Sequence, residues 1–513
     1  MALSSKKTIA KNTVLLYIRT FIVMIVALWT SRIILQSLGA VDYGVYSAVG
    51  GLVSMFSVLT GSMSAAISRY ITFELGTGNE VRLKQVFGAS VAVQLLFIAV
   101  IVLLGETIGL WFLNSKMTIP ADRMVAANWV YQCTILIFCF NLLSVPYNAE
   151  LIAHEHMGTY AYVSVADNVL RLCIAYLIFV SPIDRLIFYS VLMALLSIGV
   201  RIFYQLYCTV KFSECRSVSL KVHKSVFGGL ANFAGWNMLG EISSICSNQG
   251  IGVVLNLFFG PLINAAYGVA SQVNGAVNAF AGNFTTALSP SITKSYAVGD
   301  SAYVKDLVLK GAKYSYFLLF IIVLPLLIET EMVMNIWLKN VPEHTVVFVR
   351  LMLVYSLITI WSQTIIRAVQ ATGNIKRYQI IVSTVSLMSL PIAYIVLKLG
   401  CPPYTAIVSV VAIAVLTLFV RLFIVKPLID VSFRDFVTVV LLRCVSVSVV
   451  ASVLPIVLHI SIGAGIVNSI LVVLVCVLCS CLSIYGLGCS STERRAVTDR
   501  IKTIVGRIKS VRG

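Results

Sequence analysis

The sequence predicts an all-α polytopic membrane protein: two six-helix bundles in a parallel pseudo-twofold repeat plus two C-terminal helices, about 14 transmembrane helices in all. Three observations predict it. Charged residues are 11% of the 513 and hydrophobic ones 59%, whereas a soluble domain carries roughly 25% charged residues to face water. Apolar runs of membrane-crossing length follow one another almost from end to end, and mean hydropathy is +0.96. One helix-start motif recurs six spans apart. Such a chain places much of its surface in hydrocarbon and leaves no stretch for a soluble catalytic domain.

A spanning helix needs roughly 20 apolar residues. Runs of that kind lie near 14–36, 43–71, 86–113, 122–145, 159–181, 184–208, 225–258, 262–290, 312–336, 345–370, 379–398, 403–425, 437–460 and 465–487. Lys6, Lys7 and Lys11 precede the first run, Val14 to Leu35, which is longer than a signal-peptide apolar region and reads as a retained helix. The second run and the stretch from Asn237 to Asn283 are diluted by Gly, Ser, Thr and Asn, residues that belong at helix interfaces or along a wet cavity. The organisation is then 1–210 for the N-terminal bundle, 211–425 for the second, and 426–513 for two additional helices and a basic tail.

Loop charge orients the map. With the N-terminus inside, inside loops carry Arg82, Lys84, Lys211, Arg216, Lys221, Lys224, Lys294, Lys305, Lys310, Lys313, Lys376, Arg377, Lys426 and Arg434, and the tail Arg494 to Arg512 adds more. Outside loops offer only Lys116, Arg123, Arg185, Lys339 and Lys398, the asymmetry of the positive-inside rule. One inside loop, Pro146 to Gly158, has no Lys or Arg. The formal charge of +18 is thus a topology signal rather than a nucleic-acid footprint.

The repeat lies at a shift of 224 residues. Tyr43 to Phe56 matches Tyr267 to Phe280 at eight of fourteen positions, including Gly44/Gly268, Ser47/Ser271 and Gly51/Gly275. An even number of spans between copies gives both the same orientation, related by an axis along the membrane normal, the pattern of alternating-access transporters.

Charges inside spans need a partner, water or a route to the interface. Arg19, Arg32 and Arg69 on the first two spans either snorkel separately or together line a cavity for an anionic group. Asp167 and Arg171, four apart on the fifth span, either neutralise each other or divide roles, Arg171 touching an anion and Asp167 holding it or serving ion coupling. Asn237, Glu241 and Asn248, with Ser244, form one stripe on the seventh span; Ser271, Asn274 and Asn278 form another on the eighth. Two facing polar stripes suit a cavity wall, with Glu241 its carboxylate. Gln363 and Arg367 make a weaker pair near the inner interface, and Arg350 and Arg443 read as interface residues. The twelve cysteines lack any disulfide pattern, and Cys476, Cys479 and Cys481 read as small apolar packers. His154 and His156 on a loop do not make a zinc site, and neither HExxH nor GxxxxGK[ST] occurs.

The stretch from Ser31 to Tyr70, SRIILQSLGAVDYGVYSAVGGLVSMFSVLTGSMSAAISRY, resembles the first two helices of bacterial polysaccharide exporters of the O-antigen flippase type. These share a superfamily with multidrug and toxin extruders and a peptidoglycan-precursor flippase. The resemblance implies a non-enzymatic flippase in the bacterial cytoplasmic (inner) membrane, both termini cytoplasmic, moving undecaprenyl-pyrophosphate-linked oligosaccharide outward for lipopolysaccharide O-antigen. It implies phospholipids and the polymerase and glycosyltransferases of the same pathway as partners, no nucleic acid, no cofactor and no metal. Related exporters line their cavity with cationic side chains, and Arg19, Arg32 and Arg69 lie in the corresponding helices. With no nucleotide motif, energy would come from a proton or sodium gradient, the membrane potential or consumption of product. The nearest rival is a multidrug or small-molecule cation antiporter on the same architecture, which would favour cavity carboxylates and aromatics over arginines.

Overall fold

The structure is a computed structural model that describes residues 6–54, 56–115, 117, 119–216, 224–338, 341–463, 465–491 and 493–495. Among these residues every regular element is a helix. In order they are α1 (Lys6–Ser54), α2 (Ser57–Thr77), α3 (Glu80–Ser115), α4 (Met124–Ala153), α5 (Met157–Leu177), α6 (Arg185–Lys211) and α7 (Lys224–Ala297). There follow α8 (Ser301–Ile328), α9 (Thr330–Trp337), α10 (Thr345–Thr372), α11 (Lys376–Lys398), α12 (Tyr404–Ile429), α13 (Phe433–Ile462) and α14 (Ile466–Gly488).

Twelve helices among the described residues are long and apolar enough to cross a membrane. The two remaining expected runs, 43–71 and 262–290, are helical as well, but their small and polar residues hold hydropathy down. They are the two copies of the repeat, and their backbones match. α1 and α7 are each two helices joined across one glycine, Gly39 (φ 80°, ψ 169°) and Gly260 (φ 77°, ψ −170°), a conformation open essentially to glycine alone. Each copy then ends beside a glycine with φ above 70°, Gly78 and Gly299, after a run of equal length. The shared Tyr-Gly motif starts three residues later after the kink in the second copy. The first copy instead breaks at Phe56, between Ser54 and Ser57.

Pro146 to Gly158 is not a loop. α4 runs through Pro146 to Ala153, because a proline inside a membrane helix forfeits one hydrogen bond that neighbouring groups can make good. Only His154 to His156 form the turn into α5. The basic tail lies almost wholly outside the described residues.

The chain divides into two compact units. The first comprises 1–244, 286–304 and 367–383; the second comprises 245–285, 305–366 and 384–513. In the first, α1 packs on α5, α4 on α6 and α2 on α4, around Val49, Val130, Tyr131, Leu186 and Met193. α3 widens to a π-turn at Gly105–Gly109 where the Tyr131 hydroxyl donates to the Gly105 carbonyl at 2.8 Å. A Cβ on Gly109 would fall 1.9 Å from that hydroxyl, so glycine is what lets the ring in. At the α4 start, Arg123 donates from both sides of its guanidinium to the Asp42 carboxylate, and to Asp184 at 2.7 Å. Burial would raise the Asp184 pKa, but the Ile187 N–H and Arg123 outweigh it and hold the carboxyl below its usual range.

In the second unit α13 and α14 pack on each other, and ties reach α8 near its middle and just past its last residue. At one, the fully buried Lys313 donates to Glu493 at 2.8 Å; at the other, Glu329 meets His459 and Ser469, each at 2.7 Å. Between them the Tyr316 and Ser448 hydroxyls share a hydrogen bond of 2.7 Å.

Candidate functional site

α5 presents Tyr160, Ser164, Asp167 and Arg171 at offsets of four, seven and eleven, which is one helical face. Because α1 packs along α5, Arg19 reaches this face. Its Nε donates to the Ser164 hydroxyl at 2.8 Å, and its guanidinium lies over the Tyr160 ring, 5.1 Å from the centroid. One turn on, Arg171 Nε donates to Asp167 Oδ2 at 3.0 Å. From α6, the buried Tyr204 enters the field of Arg19, Asp167 and Tyr160, and the buried Tyr189 that of Arg171 and Tyr46. Tyr189 also stands edge-on to Tyr46 of α1, with centroids 5.1 Å apart.

The result is a strip between α1, α5 and α6 that holds two guanidiniums, one carboxylate and several phenol rings. Side chains of Arg171 and Asp167 remain 32% and 20% exposed, so a ligand can reach them. In a membrane interior a charge is retained where something answers it. This strip answers aromatic bodies through the rings and ionic groups through the charges.

The other expected residues are distributed differently. Arg69 does not join Arg19: its Nε and Nη2 donate to the Ala371 carbonyl at 3.3 and 3.2 Å, capping the end of α10. Its guanidinium packs over the Tyr70, Phe73 and Phe233 rings, and the absence of a side chain at Gly373 leaves room for it. Arg32 is exposed on α1. The three arginines thus have three separate surroundings and form no single anion site.

The α7 stripe is divided too. Asn237 is buried, and its Oδ1 accepts from Gln370 at 3.1 Å and Gln379 at 3.3 Å, which makes it helix-to-helix packing. Glu241 is exposed near Gly61 and supplies the negative charge nearest Arg367, which itself donates to Gln370 at 3.2 Å. All of these lie in the first unit. In the second, the Asn248 carbonyl accepts from the Tyr267 hydroxyl at 2.6 Å, and Ser271 hydrogen-bonds that same hydroxyl. Asn278 donates to Asn274 Oδ1 at 2.9 Å, and the Ser356 hydroxyl donates to the same oxygen.

Tyr160, Ser164 and Tyr204 were passed over in the sequence, although the first two sit at helical spacing from Arg171. Arg201 was passed over as well. It is 7% exposed in α6, lies over the Tyr147 ring at 4.2 Å, and its Nε and Nη1 have no hydrogen-bond partner among the described residues.

No family model and no curated protein matches this chain. Solved structures do. A MATE protein in its straight conformation is 13% identical with a TM-score of 0.72, covering 83% of this chain and 96% of that one. An outward-facing multidrug resistance MATE family transporter of the MOP superfamily is 13% identical with a TM-score of 0.72, covering 83% and 98%. A MOP superfamily transporter from Pyrococcus furiosus, described as having a binding pocket of reverse polarity, is 12% identical with a TM-score of 0.70, covering 83% and 98%.

The protein therefore has the fold seen in these MATE-type structures. It is a multi-pass membrane protein, with twelve helices among the described residues long and apolar enough to cross a membrane. This overturns the flippase expectation and, with it, the O-antigen, lipopolysaccharide and polysaccharide assignments: the structures it matches are MATE-type, one of them a multidrug resistance transporter, the fold of the rival reading. The physical reason lies in what carried the resemblance. Ser31 to Tyr70 is dense in small residues that let helices approach, a demand of the fold and not of a substrate. The arginine argument against the rival fails for its own reason, since Arg69 is occupied in a helix cap.

Proposed function

We propose that the chain is an ion-coupled antiporter exporting small amphipathic organic molecules across a bacterial inner membrane, with both termini in the cytoplasm. One observation carries the reading: on a MATE-type fold, the α1–α5–α6 strip sets a carboxylate that is 20% exposed, Asp167, among tyrosine rings. Asp167 is the acceptor for a cationic group or a coupling proton, and Arg171 is the internal cation it releases when either arrives. A cation that takes the Asp167 carboxylate displaces Arg171 from it and changes the charge of the strip by one, a change that a gradient can drive. Tyr160, with Arg19 over one face, presents the other to the substrate's aromatic part. Loop charge supports the orientation.

The test is transport by the purified protein in liposomes under an imposed proton or sodium gradient, with a fluorescent organic cation and, in parallel, a fluorescent organic anion. Gradient-driven movement of the cation that disappears in Asp167→Asn is the expected result. Movement of neither probe by correctly folded protein, or an Asp167→Asn variant as fast as the parent, would overturn the reading.

A further inference from the structure

The end of α4 carries a group of charged side chains that the transport strip does not use. Glu150, on the last turns of α4, has a side chain with no exposure, and neither carboxylate oxygen has a hydrogen-bond partner among the described residues. One helical turn on, His154 points its Nε2 at the same place, 3.5 Å from Glu150 Oε2. Glu214 arrives from the short 3-10 turn Ser213–Cys215 beyond α6, its side chain 5% exposed and its Oε1 2.6 Å from His154 Nε2. One donor atom from each of the three lies within 4.8 Å of the other two.

The surroundings close this group off. The Phe212 ring stacks on His154 at 4.2 Å between centroids and presents its edge to His156. Glu155, between the two histidines, turns away to pair with Lys294 at 3.0 Å. Residues 146–158 contain no Lys or Arg that could neutralise the carboxylates. A carboxylate this deeply buried, whose counter-charge is His154 standing 3.5 Å off and shared with Glu214, is a costly arrangement for a protein to hold. A proton on Glu150 would remove its charge but still leave its oxygens without the partners burial demands.

From this geometry we infer that Glu150, His154 and Glu214 bind one divalent transition-metal ion of the zinc or manganese type. An imidazole with two carboxylates is a three-ligand set for such ions, while magnesium and calcium prefer all-oxygen shells. Metal–donor bonds of roughly 2.0–2.2 Å place donor atoms roughly 3–3.5 Å apart. The observed 2.6 and 3.5 Å need only sub-ångström adjustment to reach that range. The ion joins the end of α4 to the turn leaving α6, two helices that already pack on each other, and so acts as a structural staple on the first unit. His156 is no ligand: it lies across Phe212 and is 3.4 Å from the Tyr207 hydroxyl.

Full-length protein stripped with a chelator, in detergent, is titrated calorimetrically with zinc and with manganese chloride, and its Tm is followed. One ion per chain, bound with a rise in Tm, is expected in the parent and in His156→Ala, and is expected to be lost in Glu150→Gln and His154→Ala. Equal stoichiometry in parent and Glu150→Gln, or no binding by the parent, overturns the inference. Should the variants misfold, the cobalt-substituted parent decides: ligand-field bands of a nitrogen and oxygen site support it, and thiolate charge-transfer bands overturn it. Neither outcome depends on what the protein transports.

Discussion

The two copies of the repeat share a backbone and differ in chemistry. In the shared motif Gly50 and Ser54 of the first copy align with Asn274 and Asn278 of the second, and in the second these amides pair with each other and with Ser356. Near the first copy the polar work falls to charges instead, with Arg19, Asp167 and Arg171 held between α1, α5 and α6. The asparagine-rich helix carries short neutral groups that satisfy one another. Duplication thus preserved where the chain bends and left free which half carries charge.

The sharpest way to break this comparison is to neutralise the charged half. Asp167→Asn leaves Arg171 half-buried beside a neutral amide, losing a charge-assisted bond worth roughly 1.5–3 kcal/mol. Transport in liposomes should fall about tenfold or more, while Asn274→Ala, in the neutral half, should leave the rate within about twofold. Next are the kinks. Gly39→Ala and Gly260→Ala each force a side chain into a region costing roughly 1–3 kcal/mol, and thermal unfolding should show losses of similar size if the copies are equivalent.

A smaller effect is expected from Asn274→Ala on stability, about 1 kcal/mol for the hydrogen bonds it gives up. The smallest concerns Glu493. Burial would raise its pKa, but Lys313, the Ser490 N–H and Tyr314 outweigh that and lower it from 4.5 to about 2. A depressed carboxyl contributes its full stability above its unfolded value and loses it as pH falls through the folded one. The tie should therefore be indifferent to pH above about 4.5 and weaken only between there and about 2. Lys313→Met should abolish that dependence when unfolding is followed against pH.

Most of the fold was legible because apolar runs separated by short basic loops leave one solution. Asp167 and Arg171 were legible as a pair because one turn of helix joins them. Arg19 was legible as a charge in a span, but not as the partner of Ser164, since that contact depends on which helix lies against α1. Arg69 misled for the same reason: the carbonyl it caps belongs to Ala371, some three hundred residues away in the chain. The HEH turn was visible, yet the carboxylates that give it meaning come from the helix before it and the turn after α6, which no local pattern links.

The hold on α8 has a practical corollary. Lys313 is 1% exposed, and its counter-ion Glu493 lies just past the end of α14. Shortening the chain to Gly488 would strand a bare ammonium inside the protein, whereas a fusion partner or affinity handle appended after Gly513 leaves that ion pair whole. Expression designs that trim the apparently dispensable end should therefore stop short of residue 493.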